Sequence, residues 1–446
     1  MSSKIVSAVL LCAFVPAAFA AGADAPSFDN GVEITSIIKE AKLRAKEIAA
    51  VKASGAKTKG TSQWISLGAG DVSTLDAATF PLGEPVAKSD RAMVFEMPDE
   101  LLPLLSKFMH SKFNRCGGFF AHRTRQGAEQ DLAGPIKATG GPYTIDQQSW
   151  VKPLLSNVKE AEVRSTIESM AGYNNRYYTA DTGVAAAKWL ASRWQSLAAK
   201  IPGAKVDLVN HDGWAQPSVV LTIPGGDMAQ EIVVLGGHLD SINQWGGNEA
   251  RAPGADDNAS GIATLTEAIR VLADAGFKPR RTVQFMGYAA EEVGLRGSAD
   301  IAAQYQKAGK KVVGVVQYDM TGFKGSSEDI FLLTDNVDAD LTQFMGKLID
   351  EYVGVKWSTT ECGYACSDHA SWTQNGYPSA LPFEASFDGM NHALHTENDT
   401  LGTIGGSAEH AVPFVKLAIA FASELAKTPQ AARLAKAQSP AASGSK

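Results

Sequence analysis

The sequence has no excess of basic residues. Its 446 residues carry 41 Lys and Arg against 48 Asp and Glu, a formal net charge of -7 at pH 7. A chain without a basic footprint lacks the electrostatic attraction on which nucleic-acid binding depends, so nucleic acid is excluded as the main partner. Hydrophobic residues at 45% and charged residues at 20% are typical of a globular protein with a sizeable core. The length predicts two or three units.

Long apolar runs are absent after the first 20 residues, which excludes a later membrane-spanning helix. Near its start the chain has Lys4, followed by an apolar run over 5–19. The small residues of Ala-Phe-Ala at 18–20 fit a secretory cleavage site. A short membrane anchor is the alternative, but the run is too short to span a bilayer comfortably. We therefore predict a signal peptide at 1–20 and a secreted protein, extracellular or periplasmic, with no membrane attachment after cleavage.

Cysteine is scarce, with four in the chain. Cys12 lies in the predicted signal peptide, Cys116 stands alone, and Cys362 and Cys366 are four residues apart in ECGYACSDH. Nothing supplies a second close pair, which argues against a thiol-only metal site, although this spacing also occurs in redox loops. In an exported protein we predict a Cys362–Cys366 disulfide.

Composition and periodicity divide the rest of the chain. Residues 21–140 contain polar stretches, a charged helical pattern and one strand-then-helix signal; they form either a small accessory domain or, as we predict, a removable pro-segment of α+β type. Residues 141–426 alternate short apolar strands with amphipathic helices. This alternation predicts an α/β fold, a mostly parallel mixed sheet with helices on both faces and an antiparallel hairpin at one edge. Residues 427–446 are small, polar and basic, and predict a flexible tail.

Metal-ligating residue types follow successive predicted strands. In open α/β sheets, ligands bind beyond the carboxyl ends of the strands. The residues at these ends and in two nearby segments are His238 and Asp240, Glu291 and Glu292, Asp319, Asp256 and Asp257, and His392 and His395. Singly, each has an ordinary explanation: Asp257 could cap a helix, and the paired glutamates could be a solvated corner. Their coincidence at one edge of one sheet predicts a metal site.

These motifs occur together in an order that carries a family resemblance. The series GGHLDS, PGADDNASG, AAEEVGLRGS, QYDM, CGYACSDHASW and HT spans most of residues 145–425. It resembles the secreted bacterial leucyl aminopeptidases of the dizinc M28 peptidase family. The resemblance implies a zinc-exopeptidase fold, and it leaves the N-terminal 120 or so residues outside the match, where that family usually carries a pro-segment.

The resemblance implies a ligand set for two zinc ions. Asp257 would bridge both ions, His238 and Asp319 would complete one site, and Glu292 and His395 the other. Three carboxylates offset three of the four metal charges and a shared hydroxide offsets the last. Each zinc then has three protein ligands, the open arrangement of a catalytic site. His392 is a nearby competitor for His395.

One position departs from the family pattern. Where close relatives have a third aspartate, this chain has Asn258. The family has a cis peptide after the bridging aspartate, which implies one between Asp257 and Asn258, with altered hydrogen bonds around it.

Two further acids are assigned roles beside the metal. Asp240 lies two residues after His238, so in extended chain both side chains point the same way, and Asp240 can accept the second imidazole N–H. The alternative for Asp240 is an exposed turn residue. Glu291 is the expected general base, which takes a proton from the bridging water, because a zinc-bound carboxylate such as Glu292 is a poor proton shuttle.

The predicted activity is removal of the N-terminal residue from peptides that have a free amino terminus. No Gly-rich phosphate cradle or Arg cluster stands beside the ligands, which disfavours phosphoesters, and no Arg stands out to grip a terminal carboxylate. The resemblance implies a preference for Leu-like or large apolar residues, with a pocket drawn from Met320, Tyr364, Phe383 and Phe387. Tyr364 is also a candidate for stabilising the oxyanion.

The predicted protein is a monomer. The alternatives are a carboxypeptidase, a deacylase or, more remotely, a single-zinc glutamine cyclase on the same fold, and a catalytically inactive binding domain. The complete set of five ligands with Glu291 argues against the inactive domain.

Overall fold

The computed structural model describes residues 30–54, 62–68, 71–72, 80–113, 117–134, 138 and 140–429. The predicted signal peptide, Cys116 and nearly all of the predicted tail lie outside these ranges. No helix in the described part of the chain combines the length and the apolar content needed to cross a bilayer.

Residues 30–134 build an α+β unit around a core of their own. Its elements are α1 (Asn30–Ala53), β1 (Ser62–Gly68), β2 (Ala87–Lys88), β3 (Ala92–Pro98), α2 (Leu102–Phe113), β4 (Phe120–His122) and α3 (Arg125–Ala133). The strands form an antiparallel sheet in the order β2-β3-β1-β4. Leu105, Phe108 and Met109 of α2 pack against Ile65 of β1 and Phe95 of β3. The predicted helix over α1 and the strand-then-helix over β3 and α2 are confirmed, whereas β1 falls partly within a stretch that we took as polar.

Residues 141–426 contain the second unit. Its helices are α4 (Gln148–Leu155), α5 (Glu160–Ala171), α6 (Asp181–Ala198), α7 (Ala259–Asp274), α8 (Arg296–Lys307), α9 (Ala339–Leu348), α10 (His369–Gln374) and α11 (Val412–Ala426). Its strands are β5 (Lys205–Val209), β6 (Ser218–Ile223), β7 (Met228–His238), β8 (Arg281–Tyr288), β9 (Lys311–Gln317), β10 (Ile330–Leu333), β11 (Trp357–Thr360), β12 (Ser379–Ala380) and β13 (Pro382–Phe383).

The central sheet has six strands in the order β12-β9-β7-β8-β6-β5. The pairs β12–β9, β9–β7 and β7–β8 are parallel, and β8–β6 and β6–β5 are antiparallel. The predicted mixed, mostly parallel sheet with a hairpin at one edge is confirmed. Side chains alternate across it: Val233 and Leu235 face the core beneath α4 to α7, α9 and α11, whereas Ile232 and Val234 face α8 and α10. Helices therefore cover both faces.

The apolar segment YPSALPFEA is divided between two sheets. Ser379 and Ala380 pair with β9, and Pro382 and Phe383 turn away to pair with β10 in a second sheet of order β11-β10-β13. Proline has no N–H for a central ladder, so the chain changes sheets at this point. The strand β10, expected in the main sheet, therefore belongs to the smaller one.

Candidate metal centre

Three neighbouring parallel strands bring the predicted ligands together. The strands β9, β7 and β8 are adjacent in the sheet. His238 is the last residue of β7, Glu291 and Glu292 follow the end of β8, and Asp319 follows the end of β9. Asp257 lies just before α7, on the crossover that connects β7 to β8. Because the strands run parallel, their carboxyl ends meet at one edge, where the crossover also begins.

The carboxylate of Asp257 lies between two imidazoles. Its Oδ1 is 2.9 Å from His238 Nε2, and its Oδ2 is 2.9 Å from His395 Nε2. Asp319 Oδ1 lies 3.3 Å from the same nitrogen of His238, and Glu292 Oε2 lies 3.1 Å from that of His395. The cluster therefore consists of two groups of three residues that share Asp257.

The cluster is enclosed and lacks ordinary hydrogen-bond partners. His238, Asp257, Glu292, Asp319 and His395 are each at most 5% exposed. Within the described residues, His238 Nε2 and both carboxylate oxygens of Asp257 and of Glu292 make no hydrogen bond of acceptable geometry. These atoms lie 2.9–3.3 Å from one another across the cluster without forming hydrogen bonds. Buried polar atoms without partners are costly, and divalent cations at these positions would satisfy them.

The electrostatics of the cluster call for added positive charge. Burial and the charge of Asp257 raise the pKa of Glu292 to about 7. Burial would also raise the pKa of Asp257, but His238 and His395 outweigh it, so that pKa is lowered. Against its own burial, the neighbouring carboxylates raise the pKa of His395 to about 10. These carboxylates cannot all remain ionised in an enclosed space without cations, and this donor set of imidazole and carboxylate suits zinc.

Glu291 is buried beside the cluster but does not join either group. Both of its carboxylate oxygens lack a hydrogen-bond partner among the described residues. Burial, with the nearby Glu292, Asp368 and Asp319, raises its pKa well above the usual value, against an opposing effect of His238. A buried carboxylate that readily holds a proton has the property that a general base needs.

Asp240 lies beside His238, as predicted, and makes further contacts that were not predicted. Its carboxylate accepts the backbone N–H groups of Glu291 at 3.0 Å and Glu292 at 3.2 Å. His238 Nδ1 is 3.2 Å from the backbone carbonyl of Asp240 and 3.5 Å from its Oδ1, so the carbonyl is the nearer acceptor. Asp240 is fully buried, which rules out an exposed turn residue.

Asn258 shows what the departure from the family pattern does. The Asp257–Asn258 peptide bond is cis, as the resemblance implied. Asn258 Oδ1 accepts the N–H of Gly261 at 2.9 Å and caps α7, while Nδ2 donates to the carbonyl of Tyr318 at 2.9 Å. A carboxylate could not make the second bond, because it has no donor. The N-cap of α7 is therefore Asn258, and Asp257 is left to face the imidazoles.

The choice between the two histidines of HALHTEND is decided by position. His392 is exposed, and its Nε2 lies 3.1 Å from the carbonyl of Asp388. His395 is buried at the centre in the left-handed conformation, with φ of 59°. The predicted preference for His395 thus matches its location.

A buried network behind Asp257 escaped the sequence prediction. Asp399 accepts the backbone N–H groups of Asp256 at 3.1 Å and Asp257 at 3.0 Å. Asn391 donates to Asp256 Oδ2 at 3.1 Å and to Asp399 Oδ1 at 3.3 Å. Asp399 follows His395 in the END triplet, and that proximity to a ligand was its only sequence signal.

The four predicted pocket residues line one cavity. Met320, Tyr364, Phe383 and Phe387 surround it together with Leu333 and Met390, and Asp319 forms part of its wall. The predicted Cys362–Cys366 disulfide is present and is confirmed, and Cys366 contributes to the same wall. The cavity has a volume of only about 20 Å³, so it is nearly closed in this structure, and its apolar wall lies beside one of the metal-ligand groups.

A histidine from the N-terminal unit also reaches the cluster. His110 of α2 lies with its Nε2 3.9 Å from Glu292 Oε2. It was not among the predicted site residues, because the local pattern KFMHSKF has no feature that connects this helix to the strand ends of the second unit.

Comparison with known proteins identifies the family. The model of peptidase family M28 matches residues 218–420. A probable leucine aminopeptidase of Trichophyton verrucosum is 41% identical over 336 residues, which cover 74% of this chain and 90% of that protein. Leucine aminopeptidase 1 of Arthroderma otae is 40% identical over 304 residues, 65% of this chain and 80% of its own length.

Solved structures agree with the fold. The LapA aminopeptidase of Legionella pneumophila superposes with a TM-score of 0.71 at 29% identity, over 83% of this chain and 100% of that one. LapB from the same organism superposes with a TM-score of 0.72 at 30% identity, over 82% of this chain and 100% of that one. Because these relatives are fungal as well as bacterial, membership of the secreted bacterial group stays a prediction. Because 41% of 336 aligned residues are identical and the alignment covers 90% of a curated relative, the chain belongs to peptidase family M28 and is an enzyme.

Proposed function

We propose that this peptidase is a secreted dizinc aminopeptidase that removes Leu-like or other large apolar residues from the free amino terminus of peptides. The observation that carries the proposal is the carboxylate of Asp257, with one oxygen 2.9 Å from each of the imidazoles of His238 and His395. A bridging carboxylate between two ligand groups suits two metal ions rather than one. The names of the relatives, which are leucine aminopeptidases, support the same activity.

The residues present fit two zinc ions. His238, Asp257 and Asp319 would hold one, and Asp257, Glu292 and His395 the other. When bound, zinc supplies Lewis acidity that polarises the scissile carbonyl and lowers the pKa of water to about 7. Three protein ligands at each position leave room for water and substrate.

Glu291 carries the proton in the proposed reaction. Its unbonded, buried carboxylate takes a proton as the water oxygen forms a bond to the carbonyl carbon. The same proton then passes to the leaving nitrogen as the C–N bond breaks, so that the general base is restored. Asp240 positions Glu291 through its backbone N–H.

The local charges favour the amino end of a peptide over the carboxyl end. Arg176 is a fully buried guanidinium, and it donates to the carbonyls of Leu239, Pro253 and Gly254. Arg296 pairs with Asp99 at 2.9 Å. Both cations are committed to the protein, so neither is free to grip a terminal carboxylate, and a carboxylate-rich centre suits a free amine instead.

The pocket supports the preference for apolar residues. Phe383, Met320 and Tyr364 are buried in its wall, next to Asp319. A side chain that enters here would be removed from water among apolar and aromatic groups, which favours large apolar residues. Because Tyr364 lies in the same wall as Asp319, we also propose that it stabilises the oxyanion.

The test is a substrate panel on purified, mature protein loaded with Zn²⁺. We expect release of leucine from leucyl anilides, loss of activity with a strong chelator, and recovery with Zn²⁺ at two ions per chain. N-acetyl-leucyl anilide and peptides cleaved at the carboxyl end are the matched controls. Activity confined to the N-acylated substrate would identify a deacylase, and activity confined to the carboxyl end would identify a carboxypeptidase.

A further inference from the structure

Helix α2 of the N-terminal unit lies against the metal-ligand cluster. Ser106 Oγ donates a hydrogen bond of 2.6 Å to the backbone carbonyl of Glu292. One turn later, His110 Nε2 lies 3.9 Å from Glu292 Oε2, and its ring centroid is 4.2 Å from that of His395. Ser106 and His110 are at most 1% exposed. The helix therefore adds an imidazole to the cluster from outside the peptidase unit.

Other contacts hold the N-terminal unit around the loop that carries the paired glutamates. The backbone N–H of Ala121 donates to the carbonyl of Gly294 at 3.1 Å, and Arg296 pairs with Asp99 at 2.9 Å. A Cβ on Gly294, whose φ is +103°, would lie 2.6 Å from the ring of Phe119, so the two units are in close contact there. The position of His110 is thus set by a packed interface.

An ordinary core role accounts for only part of this geometry. Ser106 gives its one proton to the Glu292 carbonyl, so its oxygen can accept from His110 Nε2, which is 3.0 Å away. That bond satisfies one ring nitrogen, but it does not explain why an imidazole faces buried carboxylates and a second imidazole. His110, Glu292 and His395 each offer a ligand atom, and these atoms lie within 4.8 Å of one another. Two ligands of a tetrahedral zinc are separated by about 3.4 Å, given Zn–N bonds of about 2.0–2.1 Å, so His110 is close to ligand distance.

We infer that His110 is a ligand of the metal ion held by Glu292 and His395, and that this bond fastens the N-terminal unit over the active site. The inference rests on the proposed function, because it needs a metal at that position. Metal binding would replace the hydrogen bond from His110 Nε2 to Ser106 Oγ. His110 would then be a neutral imidazole with its proton on Nδ1, and it would coordinate through the Nε2 lone pair in place of one water molecule. It then occupies the coordination position that a catalytic zinc keeps for water or substrate.

The consequence is a latent full-length chain. With α2 in place, the five predicted ligands are at most 5% exposed, and His110 would take a coordination position that water or substrate needs. Removal of the N-terminal unit would expose the metal site and, at the same time, free the coordination position that His110 occupies. The predicted pro-segment thereby acquires a specific inhibitory residue.

The test uses the full-length chain titrated with Co²⁺, whose visible absorption reports ligand type and number. The variants are His110→Gln, which keeps a hydrogen-bonding group of similar size, and His110→Ala. Ser106→Ala is the matched control, because it removes the hydroxyl that contacts both the Glu292 carbonyl and His110 Nε2 but leaves the imidazole free to bind metal. We expect wild type and Ser106→Ala to share one spectrum. Both His110 variants should show a changed spectrum. The Kd for one of the two ions should rise at least about 10-fold, which is the lower end of the effect of losing a group that supports a metal ligand.

The outcomes separate the inference from the proposed function. Two bound Co²⁺ ions with the same spectrum and affinity in wild type and both His110 variants would overturn the inference and leave the dizinc site intact. Failure of every variant, and of wild type, to bind two ions would overturn the proposed function itself. Circular dichroism confirms that each variant is folded.

A second measurement does not depend on the spectrum. Hydrogen exchange in α2 should slow when Co²⁺ is added to wild type or Ser106→Ala, because a metal bond then holds the helix. The same addition should leave exchange in α2 unchanged in His110→Gln. Equal slowing in all three proteins would overturn the inference, since it would show that metal orders the helix without His110.

Discussion

The carboxylate of Asp240 accepts the backbone N–H of Glu291 at 3.0 Å, and with its other oxygen it accepts the next amide along the chain. One buried side chain therefore sets the position of the loop that carries both the proposed base and a proposed ligand. Replacement of this carboxylate affects two functions at once, although the residue faces neither water nor substrate.

The first prediction follows from that contact. Asp240→Asn presents an amide N–H to a backbone N–H, and an unsatisfied buried donor costs about 1–3 kcal/mol. We expect kcat to fall at least tenfold and the Kd for one zinc to rise about 10- to 100-fold, as for other groups that support ligands. Chelator competition measures the affinity. Asp207→Asn, on the exposed strand β5, is the control, and an Asp240→Asn enzyme that matches it would contradict the prediction.

The second prediction separates the adjacent glutamates. Glu291→Gln should retain two zinc ions but lose about 10²- to 10⁴-fold in kcat, the usual contribution of a general base. Glu292→Gln should lose zinc from one site, because its carboxylate lies 3.1 Å from His395 Nε2. Metal content by mass spectrometry and kcat under saturating Zn²⁺ measure the two effects. The same metal content in both variants would show that the division of roles is wrong.

The third prediction concerns the apolar pocket. Phe387 contributes to its wall, and Phe387→Ala removes contacts with the substrate side chain. We expect kcat/KM for leucyl substrates to fall about 10- to 100-fold relative to alanyl substrates, because contacts of this kind are worth about 1–3 kcal/mol. Leu208→Ala, on the exposed strand β5 of the peptidase unit and outside the pocket, is the control. An unchanged Leu-to-Ala ratio in Phe387→Ala would place the substrate side chain elsewhere.

The fourth prediction is a dependence of stability on pH. Burial lowers the pKa of His369 to about 3, below the usual 6.5. As the pH falls below about 6.5, the unfolded chain takes up a proton that the folded chain does not, so stability falls, and this continues down to about pH 3. The slope is at most about 1.4 kcal/mol per pH unit. The free energy of unfolding that the protein loses through His369 between pH 6.5 and about pH 3 is recovered when the pH returns to 7.

Urea unfolding of the metal-free chain between pH 7 and pH 4 measures this effect. His369→Gln should lose less stability over that interval than wild type, since it has no group to titrate. His392→Gln, an exposed histidine, should follow wild type. Parallel curves for wild type and His369→Gln would show that His369 takes up a proton in the folded state.

The sheet and its ligand edge could be predicted because both depend on local patterns. Near-continuous apolar strands followed by His238, Glu292 or Asp319 predicted where strands end, and the rule for open α/β sheets brings parallel strand ends together. The second sheet could not be predicted in the same way. Its strand β10 reads as apolar like the others, and only the change of direction at Pro382 assigns it to different partners.

The sequence by itself determined the fold class and the placement of the candidate ligands at the strand ends, because these depend on residue type, order and local period. The family resemblance added the proposed division of roles between Glu291 and Glu292. Only the tertiary structure decided which groups support the site. Asp399 reaches the amide of Asp257 from 142 residues away, and His110 approaches Glu292 from another unit. Such contacts have no local signature, since they arise where separately folded surfaces pack together.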